Sequence, residues 1–476
     1  MFSFTSIADY HQGLKQGVVT CVEAVQHYIQ EIEASDSLNA YIEVFGDEAF
    51  KRARDLDSLD LTGRLHGVVV GLKDNICFKD HTITAGSKML GRFQSLFSAT
   101  AVERLLEEGA IIIGRHNCDE FGMGSTNENS HYGAVSNPLN HDHVPGGSSG
   151  GSAAAVKAGL CMAALGSDTG GSVRLPADFC GVVGMKPSYG AVSRHGLIAY
   201  ASSFDQIGVL ANNVDDAALI LDIISGPDKY DSTANRKDER GTDSSGPVPS
   251  SNPNQPYRIA WFPEWIEHSS IDPEISSSLK NLLQQLKEAG HQVEPVPFPF
   301  TDYIVPSYYV LTTAEASSNL ARYDGIRYGY RSEKPTAHLQ ELYKHNRAEG
   351  FGMEVKRRIM LGSFVLSTGY FDAYYTKAQQ VRRRLKDTTD LIFKDFDFII
   401  APNSPTVALK KGAVNQDPVA MYLGDIFTVF ANLVGIPAIS LPIFKHSSNL
   451  PFGVQVLSSG GNEVSLLSFS HHLMQQ

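Results

Sequence analysis

A strand–helix–strand pattern in the first quarter of the chain constrains the fold most strongly. Residues 68–70 and 111–113 are short runs of Val and Ile, and a segment with helical spacing at about 102–108 lies between them and closes at Gly109. Short apolar runs joined by a helix are typical of strands that are buried on both faces of a sheet. The pattern predicts an α/β fold with a largely buried sheet.

Two glycine-rich polar stretches follow this pattern. Residues 137–151 are polar and rich in glycine, and a helix of small residues is predicted directly after them, at about 152–157. A short apolar segment at 161–165 then leads into the second stretch, at 166–172. Both stretches are therefore predicted to be turns.

The remaining segments extend the same alternation. Thr20 and Glu23 form a capping-box sequence ahead of apolar residues at helical spacing, which predicts an N-terminal helix. Residues 230–256 are rich in Ser, Asn, Asp and Pro without an apolar period, and they predict a long loop or a mobile insertion. Further strands are predicted at 257–262, 398–402 and 438–442.

Charge and cysteine content exclude several function classes. The formal net charge is -12 at pH 7, so the surface is not expected to hold a nucleic-acid backbone, and any nucleic-acid role would run through a partner. The five cysteines include no C-x-x-C pair, which argues against a zinc knuckle or a disulfide framework and suits a reducing compartment. The N-terminus has neither a basic region nor a long apolar stretch, so no signal peptide is predicted.

The longest uncharged run is also not expected to span a membrane. Residues 426–444 contain Asn432, Gly435 and two prolines, whereas a membrane-spanning helix needs about 20 mainly apolar residues without such breaks. The run predicts a buried helix, a turn and a strand instead. The expected location is the cytoplasm.

Three short motifs in the first half suggest other activities, but their context is wrong. Residues 147–151 match the G-x-S-x-G nucleophile elbow, yet a polar turn precedes them where that motif needs an apolar strand. The D-T-G triplet at 168–170 has no second copy, although aspartic proteases need two such carboxylates. His141 and His143 flank Asp142 without further ligands at metal-binding spacing, so a solvated loop is the better interpretation.

The two serine loops together with a lysine predict amide hydrolysis. That reaction needs a nucleophile, a proton acceptor and a site for the oxyanion. Lys73 lies where an apolar strand ends, and burial there would favour its neutral, basic form. Gly170 and Gly171 beside Ser172 would let backbone N–H groups approach a substrate oxygen. The spacing alone does not separate this site from a surface lysine between glycine-rich linkers.

These segments resemble the amidase signature family. The resemblance rests on residues 71–75 (GLKDN), 146–152 (GGSSGGS) and 166–172 (GSDTGGS), within a signature that covers about 67–210. It implies the amidase signature fold, a central mixed β-sheet with helices on both faces. It also implies Ser172 as the acylated nucleophile, Ser148 as the bridging serine after a cis peptide bond, and Lys73 as the base. The N–H groups of Thr169, Gly170, Gly171 and Ser172 would form the oxyanion hole.

Within the family, the second half is similar to the glutaminase subunits of tRNA-dependent amidotransferases. Residues 315–329, 351–359 and 421–428 carry this similarity. It implies a glutamine pocket in which Arg358 pairs with the α-carboxylate, Asp425 meets the ammonium group and Tyr309 completes the wall, with Tyr308 as the alternative. Arg358 as a surface residue and Asp425 as a helix N-terminal charge are the competing interpretations.

The resemblance implies that the chain hydrolyses glutamine and passes ammonia to a partner. That partner, a tRNA-binding kinase/transamidase, would amidate Glu-tRNA(Gln) or Asp-tRNA(Asn) with ATP and magnesium, and a small third subunit would brace the pair. No cofactor and no metal are expected in this chain, and tRNA would be reached only through the partner. A free-standing amidase acting on another small amide is the main alternative, and a catalytically silent scaffold is a more distant one.

One domain is expected over residues 1–476. It would consist of an N-terminal helical part at about 1–60, the signature core at about 67–210, the polar loop, and a glutamine-pocket part at about 257–476. The polar loop and the C-terminal residues 468–476 depart from the family pattern and could alter contacts with partner chains.

Overall fold

The structure, a computed structural model, describes residues 4–234, 256–413 and 424–475. Within these ranges the strands form one eleven-stranded sheet. They are β1 (Tyr41–Val44), β2 (Val69–Lys73), β3 (Ile111–His116), β4 (Ala163–Asp168), β5 (Val183–Lys186), β6 (Gln206–Ala211), β7 (Arg258–Trp261), β8 (Gln292–Pro295), β9 (Phe398–Pro402), β10 (Ala438–Lys445) and β11 (Pro451–Ser458). Their order across the sheet is β1-β3-β2-β4-β6-β5-β10-β11-β9-β7-β8.

The helices lie between these strands in the chain. They are α1 (Ile7–Lys15), α2 (Cys21–Ala34), α3 (Gly46–Asp57), α4 (Thr100–Glu107), α5 (Gly150–Lys157), α6 (Arg174–Cys180), α7 (Val214–Ile224), α8 (Pro263–Ile266), α9 (Pro273–Glu288), α10 (Thr301–Asn319), α11 (Leu339–Gly350), α12 (Met353–Val365), α13 (Lys377–Asp395), α14 (Val429–Val434) and α15 (Glu463–Gln475). A π-helical turn, Asp372–Thr376, leads directly into α13.

The sheet is mixed and is covered on both faces. β2 pairs in parallel with β3 and β4, β7 pairs in parallel with β8 and β9, and the other ladders are antiparallel. Successive side chains of a strand point to opposite faces, so Val69 packs with α2, α3 and α5, whereas Val70 packs with α4 and α7. The predicted α/β class, with helices on both faces of a mixed sheet, is confirmed.

Several local predictions are confirmed with small changes of boundary. At the start of α2, the Thr20 side chain accepts from the Glu23 N–H at 3.1 Å and the Glu23 carboxylate accepts from the Thr20 N–H at 2.8 Å. The strand before the second glycine-rich stretch, β4, begins two residues later than the predicted segment and continues to Asp168, so it takes in the first three residues of the predicted turn. The N-terminal part is not purely helical, since β1 pairs with β3 at the edge of the sheet.

Part of the predicted polar loop lies outside the described residues, namely 235–255. The division into one domain stays a prediction. Among the helices that the structure describes, none has the length and apolar character needed to cross a bilayer.

Candidate active site

The three residues predicted to carry the chemistry lie together at the carboxyl ends of the parallel strands β2 and β4. Lys73 is the last residue of β2, and Ser172 follows the end of β4, so the parallel pairing of these strands brings both to the same side. Ser148 lies directly before α5, and the predicted cis peptide bond is present between Gly147 and Ser148. The Ser149 N–H donates to the Ser172 carbonyl at 3.1 Å, which holds the two serine loops against each other.

Lys73 is completely buried among hydroxyl groups. Its Nζ lies 2.7 Å from Ser148 Oγ, 2.9 Å from Ser149 Oγ and 2.9 Å from Ser167 Oγ. Asn75 Nδ2 also donates to Ser167 Oγ, at 2.9 Å. Burial lowers the pKa of Lys73 from 10.5 to about 8, because desolvation penalises the ammonium form more than nearby carboxylates favour it.

The hydrogen bonds around Lys73 suit a neutral amine whose lone pair points at Ser148. The Ser149 hydroxyl is already committed as a donor to the Ser167 carbonyl, at 3.2 Å, so Ser149 can only accept from Lys73. A neutral amine has two N–H donors and one lone pair, and Ser149 and Ser167 take the two donors. The lone pair is then left for the Ser148 hydroxyl proton, which is the direction of transfer that base catalysis needs.

The loop that carries Ser172 is held by a buried ion pair. Asp168 accepts from Arg174 Nη2 at 3.0 Å and Nε at 3.1 Å, and both side chains are completely buried. Asn432 Nδ2 donates to the same carboxylate at 3.0 Å. Burial acts to raise the pKa of Asp168, but the Arg174 guanidinium outweighs it and holds that pKa well below its usual range. The D-T-G triplet is therefore a structural anchor for this loop, in line with the rejection of a protease dyad.

The predicted oxyanion donors are not equivalent. The Gly171 N–H donates to the Asp168 carboxylate at 2.8 Å, so it is occupied in this structure. The N–H groups of Thr169, Gly170 and Ser172 have no acceptor in the part of the chain that the structure describes. Of the four predicted donors, three thus have no acceptor within the described residues and the Gly171 N–H is occupied, and the oxyanion hole itself stays a prediction.

Both glycines of this loop are required by their surroundings. Gly171 has a φ of +120°, and a Cβ there would collide with the Thr428 side chain. A Cβ on Gly170 would collide with the Tyr308 ring. The Thr428 hydroxyl donates to the Gly170 carbonyl at 2.9 Å, which ties the nucleophile loop to the residues just before α14.

Asp425 and Tyr309 lie together, both buried, beside this loop. The Tyr309 hydroxyl donates to Asp425 Oδ2 at 2.8 Å, and the Ser125 hydroxyl donates to Oδ1 at 2.8 Å. Burial raises the pKa of Asp425 to about 6, although these two hydrogen bonds act to lower it. The Asp425 carbonyl accepts from the Thr428 N–H at 3.1 Å, so the carboxylate is one turn away from the anchor of the nucleophile loop.

Arg358 lies against Tyr309 and is buried rather than on the surface. Its Nε donates to Glu354 at 2.8 Å and its Nη1 donates to the Tyr200 hydroxyl at 2.9 Å. The guanidinium carbon is 5.4 Å from the centre of the Tyr309 ring, within the range of a cation–π contact. Tyr309 therefore contacts both charged residues, whereas Tyr308 packs against Gly170.

Several residues of the site were not among the predictions. Ser149, Ser167 and Asn75 lie inside the motifs already singled out, so the motifs themselves held the signal. Glu354 is four residues before Arg358 on α12, a spacing that favours an ion pair on a helix. Ser125 lies 300 residues before Asp425, and nothing local in the sequence points to that contact.

Metal-ligand geometry is not found in the described ranges, where no three His, Cys, Asp or Glu side chains are arranged to hold an ion. His143 instead takes part in an isolated β-bridge with Lys410.

Comparison with known proteins identifies the family to which this site belongs. The Amidase family model matches residues 23–467. The chain belongs to the amidase family. It is 48% identical, over 99% of its length and 97% of the relative, to the A subunit of Glutamyl-tRNA(Gln) amidotransferase from Chlorobium luteolum. The corresponding protein of Chlorobaculum tepidum is 46% identical over 99% of this chain and 98% of that protein.

Solved structures agree on the fold and differ in what they do. The crystal structure of the Glutamyl-tRNA(Gln) amidotransferase A subunit from Thermotoga maritima is 38% identical with a TM-score of 0.76, over 96% of this chain and 94% of that one. A peptide amidase from Stenotrophomonas maltophilia is 27% identical with a TM-score of 0.81, over 99% and 97%. Backbone likeness is thus similar for an amidotransferase subunit and for an amidase, and the higher sequence identity lies with the former.

Proposed function

We propose that this amidase-family enzyme is the glutaminase subunit of a tRNA-dependent amidotransferase and supplies ammonia to a partner subunit. The observation that carries the proposal is that two buried residues of opposite charge, Arg358 and Asp425, both contact Tyr309, one at its ring and the other at its hydroxyl. Free glutamine differs from a simple amide in its α-carboxylate and α-ammonium groups, and a pocket selective for it needs one base and one acid. The full-length relatives named as amidotransferase subunits support the same conclusion.

The proposed reaction begins with attack on the side-chain amide. Ser172 Oγ forms a bond to the carbonyl carbon while its proton moves to Ser148 Oγ, and the Ser148 proton moves to the Lys73 lone pair. The electron pair of the carbonyl goes to oxygen, where the N–H groups of Thr169, Gly170 and Ser172 are placed to stabilise it.

Collapse of this tetrahedral intermediate releases ammonia. The carbon–nitrogen bond breaks, and the leaving nitrogen takes back the proton that Lys73 holds, through Ser148. A glutamyl ester on Ser172 remains. Water then attacks its carbonyl carbon, and the water proton passes through the same relay of Ser148 and Lys73. Glutamate leaves and Ser172 recovers its proton, so the cycle consumes glutamine and water and yields glutamate and ammonia.

In the proposed pocket, Arg358 binds the α-carboxylate through its forked donors. Glu354 and Tyr200 each take one side of the guanidinium, which fixes its orientation. Asp425 binds the α-ammonium, and its two hydroxyl donors hold the carboxylate plane in place. We assign Tyr309 rather than Tyr308 to this pocket, because Tyr309 contacts both charged residues.

We assign the remaining chemistry to other chains in the cytoplasm. A transamidase subunit would bind the misacylated tRNA, ATP and magnesium, and a small third subunit would brace the complex. The net charge of -12 is compatible with tRNA contacts that run through the partner. This chain itself needs no cofactor for the steps above, because nucleophile, base and oxyanion donors all come from its own residues.

A free-standing amidase remains the second candidate, since a peptide amidase shares the whole fold. It would keep the three residues of the relay and would not need the Arg358 and Asp425 pair. The more distant alternative, a silent scaffold, is disfavoured because Lys73, Ser148 and Ser172 are all present in contact with one another's loops.

The test is ammonia release from glutamine, asparagine and a plain aliphatic amide, with and without the co-expressed partner subunits. Glutamine-selective release that rises with partners and misacylated tRNA is expected. Comparable turnover of all three amides by the lone chain would contradict the proposal and indicate a free-standing amidase. Ser172→Ala serves as the blank and should release no ammonia while still assembling with the partners.

A further inference from the structure

A buried carboxylate, Asp205, lies opposite the start of the nucleophile loop. β4 and β6 form an antiparallel ladder whose last pair is Asp168 with Gln206. Thr169 follows β4 directly and Asp205 precedes β6 directly, so the register places these two residues beside each other. The Thr169 hydroxyl donates to Asp205 Oδ1 at 2.7 Å, and Asp205 is 3% exposed. The first side chain of the loop is thus fixed by a group outside the loop.

The same carboxylate closes the turn that carries Tyr200. Asp205 Oδ2 accepts from the backbone N–H groups of Tyr200 and Ala201, each at 3.0 Å. The Asp205 N–H donates back to the Ala201 carbonyl at 2.9 Å, so residues 200–205 form one closed unit. One carboxylate therefore holds two segments, the nucleophile loop through a side chain and the turn through its backbone.

Tyr200 connects this turn to Arg358. The Thr312 hydroxyl donates to the Tyr308 carbonyl at 2.8 Å, so it accepts from the Tyr200 hydroxyl, at 3.1 Å. The Tyr200 oxygen in turn accepts from Arg358 Nη1 at 2.9 Å. Because the Tyr200 side chain is buried and hydrogen-bonded at its tip, a shift of the turn would move the contact with the guanidinium.

Closing the turn does not by itself require a carboxylate at residue 205. An asparagine could accept from both backbone N–H groups, but its NH2 group would then face the Thr169 hydroxyl. The donors to Asp205 are that hydroxyl and the two N–H groups, and no ion pair includes it within the described ranges. Burial raises its pKa to about 7, so the charged form is costly to keep there. A carboxylate accepts from both segments at once, which favours a role in joining them.

We propose that Asp205 is a positioning residue for glutamine hydrolysis, because it joins the predicted oxyanion donor Thr169 to the arginine assigned to the α-carboxylate. Arg358 sets where the substrate lies, and the Thr169 N–H sets where its amide oxygen is stabilised, so a fixed distance between them aligns the reacting carbon with Ser172. This inference rests on the proposed function. Asp205 acts through Thr169 and Tyr200 and not on the substrate itself.

The experiment measures kcat and KM of Asp205→Ala with glutamine and with a plain aliphatic amide, in the full-length chain co-expressed with the partner subunits. The variant should lower kcat at least about tenfold with both substrates, because a displaced oxyanion donor affects any amide. It should also raise the KM for glutamine about tenfold and leave the KM for the aliphatic amide unchanged, because only glutamine has an α-carboxylate for Arg358. Asp205→Asn should restore the KM for glutamine and leave kcat reduced, since its amide oxygen still accepts from the two N–H groups.

Asp178→Ala is the matched control. Asp178 is also buried, and burial raises its pKa to about 7. It accepts from the Gly453 N–H and from Asn403 Nδ2, and not from Thr169 or the turn at 200–205. This variant should unfold at a lower temperature than the wild type and keep the wild-type kcat and KM with both substrates.

The inference is overturned if Asp205→Ala changes neither kcat nor the KM for glutamine, or changes one without the other. It is also overturned if Asp178→Ala gives the same pattern, because any buried carboxylate would then have this effect. A wild-type complex that hydrolyses glutamine, with an Asp205→Ala variant that behaves like it, would refute the positioning role alone. A wild-type complex without glutaminase activity would refute the proposed function and this inference with it.

If Asp205→Ala does not fold, two milder substitutions test the two connections separately. Thr169→Val removes the hydroxyl that donates to Asp205, so it should lower kcat with both amides, and Thr169→Ser should restore kcat. Tyr200→Phe removes the contact with Arg358, so it should raise only the KM for glutamine. Any other division of kcat and KM between Thr169→Val and Tyr200→Phe would overturn the inference.

Discussion

Replacing Lys73 by Met separates the catalytic role of this residue from its structural one. Met has a similar length and fills the same buried space without a charge or a hydrogen bond. Lys73 Nζ contacts three serine hydroxyls, and its pKa lies at about 8 because of burial. Both the proton acceptor and the hydrogen-bond donor are removed by one substitution.

The expected loss of glutaminase kcat/KM is at least about 100-fold, the lower end of what a positioned general base contributes. The dependence of the wild-type rate on pH tests the same role of Lys73 as a base. A base with a pKa of about 8 is mostly protonated at pH 7 and mostly neutral at pH 9, so the rate should rise about tenfold over this interval.

The expected change in stability is small at neutral pH, because two effects oppose each other. Lowering the pKa from 10.5 to about 8 corresponds to roughly 3 kcal/mol of unfavourable burial at pH 7, which the Met variant removes. Losing three hydrogen bonds to hydroxyls costs about 1 kcal/mol each. Between about pH 8 and 10.5 the unfolded wild-type chain binds more protons than the folded one, so wild-type stability rises with pH there, and the advantage of Met disappears.

Lys186→Met is the matched control. Lys186 is also completely buried, and burial lowers its pKa to about 7, but it donates to the Pro187 carbonyl at 2.6 Å rather than to a serine hydroxyl. The glutaminase activity of the Lys186→Met variant should still rise between pH 7 and 9. The reasoning is refuted if Lys73→Met retains more than about one tenth of kcat/KM, or if wild-type activity falls with pH in that interval.

Other predictions concern the pocket and the nucleophile loop. Arg358→Met should raise the KM for glutamine at least tenfold, because a charge-assisted contact is worth about 1.5–3 kcal/mol. The turnover of a simple aliphatic amide should stay unchanged. An equal loss of activity with glutamine and with the aliphatic amide would mean that Arg358 is structural. Because the pKa of Asp425 is raised to about 6, the KM for glutamine should increase as pH falls below 6, and Asp425→Asn should remove this dependence in steady-state assays. Gly171→Ala should abolish turnover or folding, since its φ of +120° and the Thr428 side chain exclude a Cβ; a fully active variant in glutaminase and thermal unfolding assays would contradict this.

The sequence pattern was sufficient to predict elements whose conformation depends mainly on neighbouring residues. The capping box of α2 and the buried valines of β2 specify their own conformation, and Lys73 at the end of β2 followed from where the apolar run stops. β1 was missed because its strand character comes from pairing with β3 at the sheet edge rather than from its own alternation.

The charged pocket could not be derived from local pattern. Arg358 stands in a basic run that fits a surface helix equally well, and its burial comes from tertiary contacts with Tyr309 on α10 and with Tyr200. The contact between Ser125 and Asp425 joins segments 300 residues apart. The occupation of the Gly171 N–H by Asp168 depends on the turn geometry within a motif that was itself correctly singled out.

The strand order has a consequence for synthesis. β1 to β6 form one side of the sheet and β7 to β9 the other, and the β10–β11 hairpin joins them by pairing with β5 at residues 438–440 and with β9. Because this hairpin is the last part of the sheet to be synthesised, the segment with Lys73, Ser148 and Ser172 can collapse long before β5, which pairs with β6 on one side, gains β10 on the other. An unpaired edge invites association with other chains. During translation the open edge at β5 is therefore the part of this protein in most need of protection.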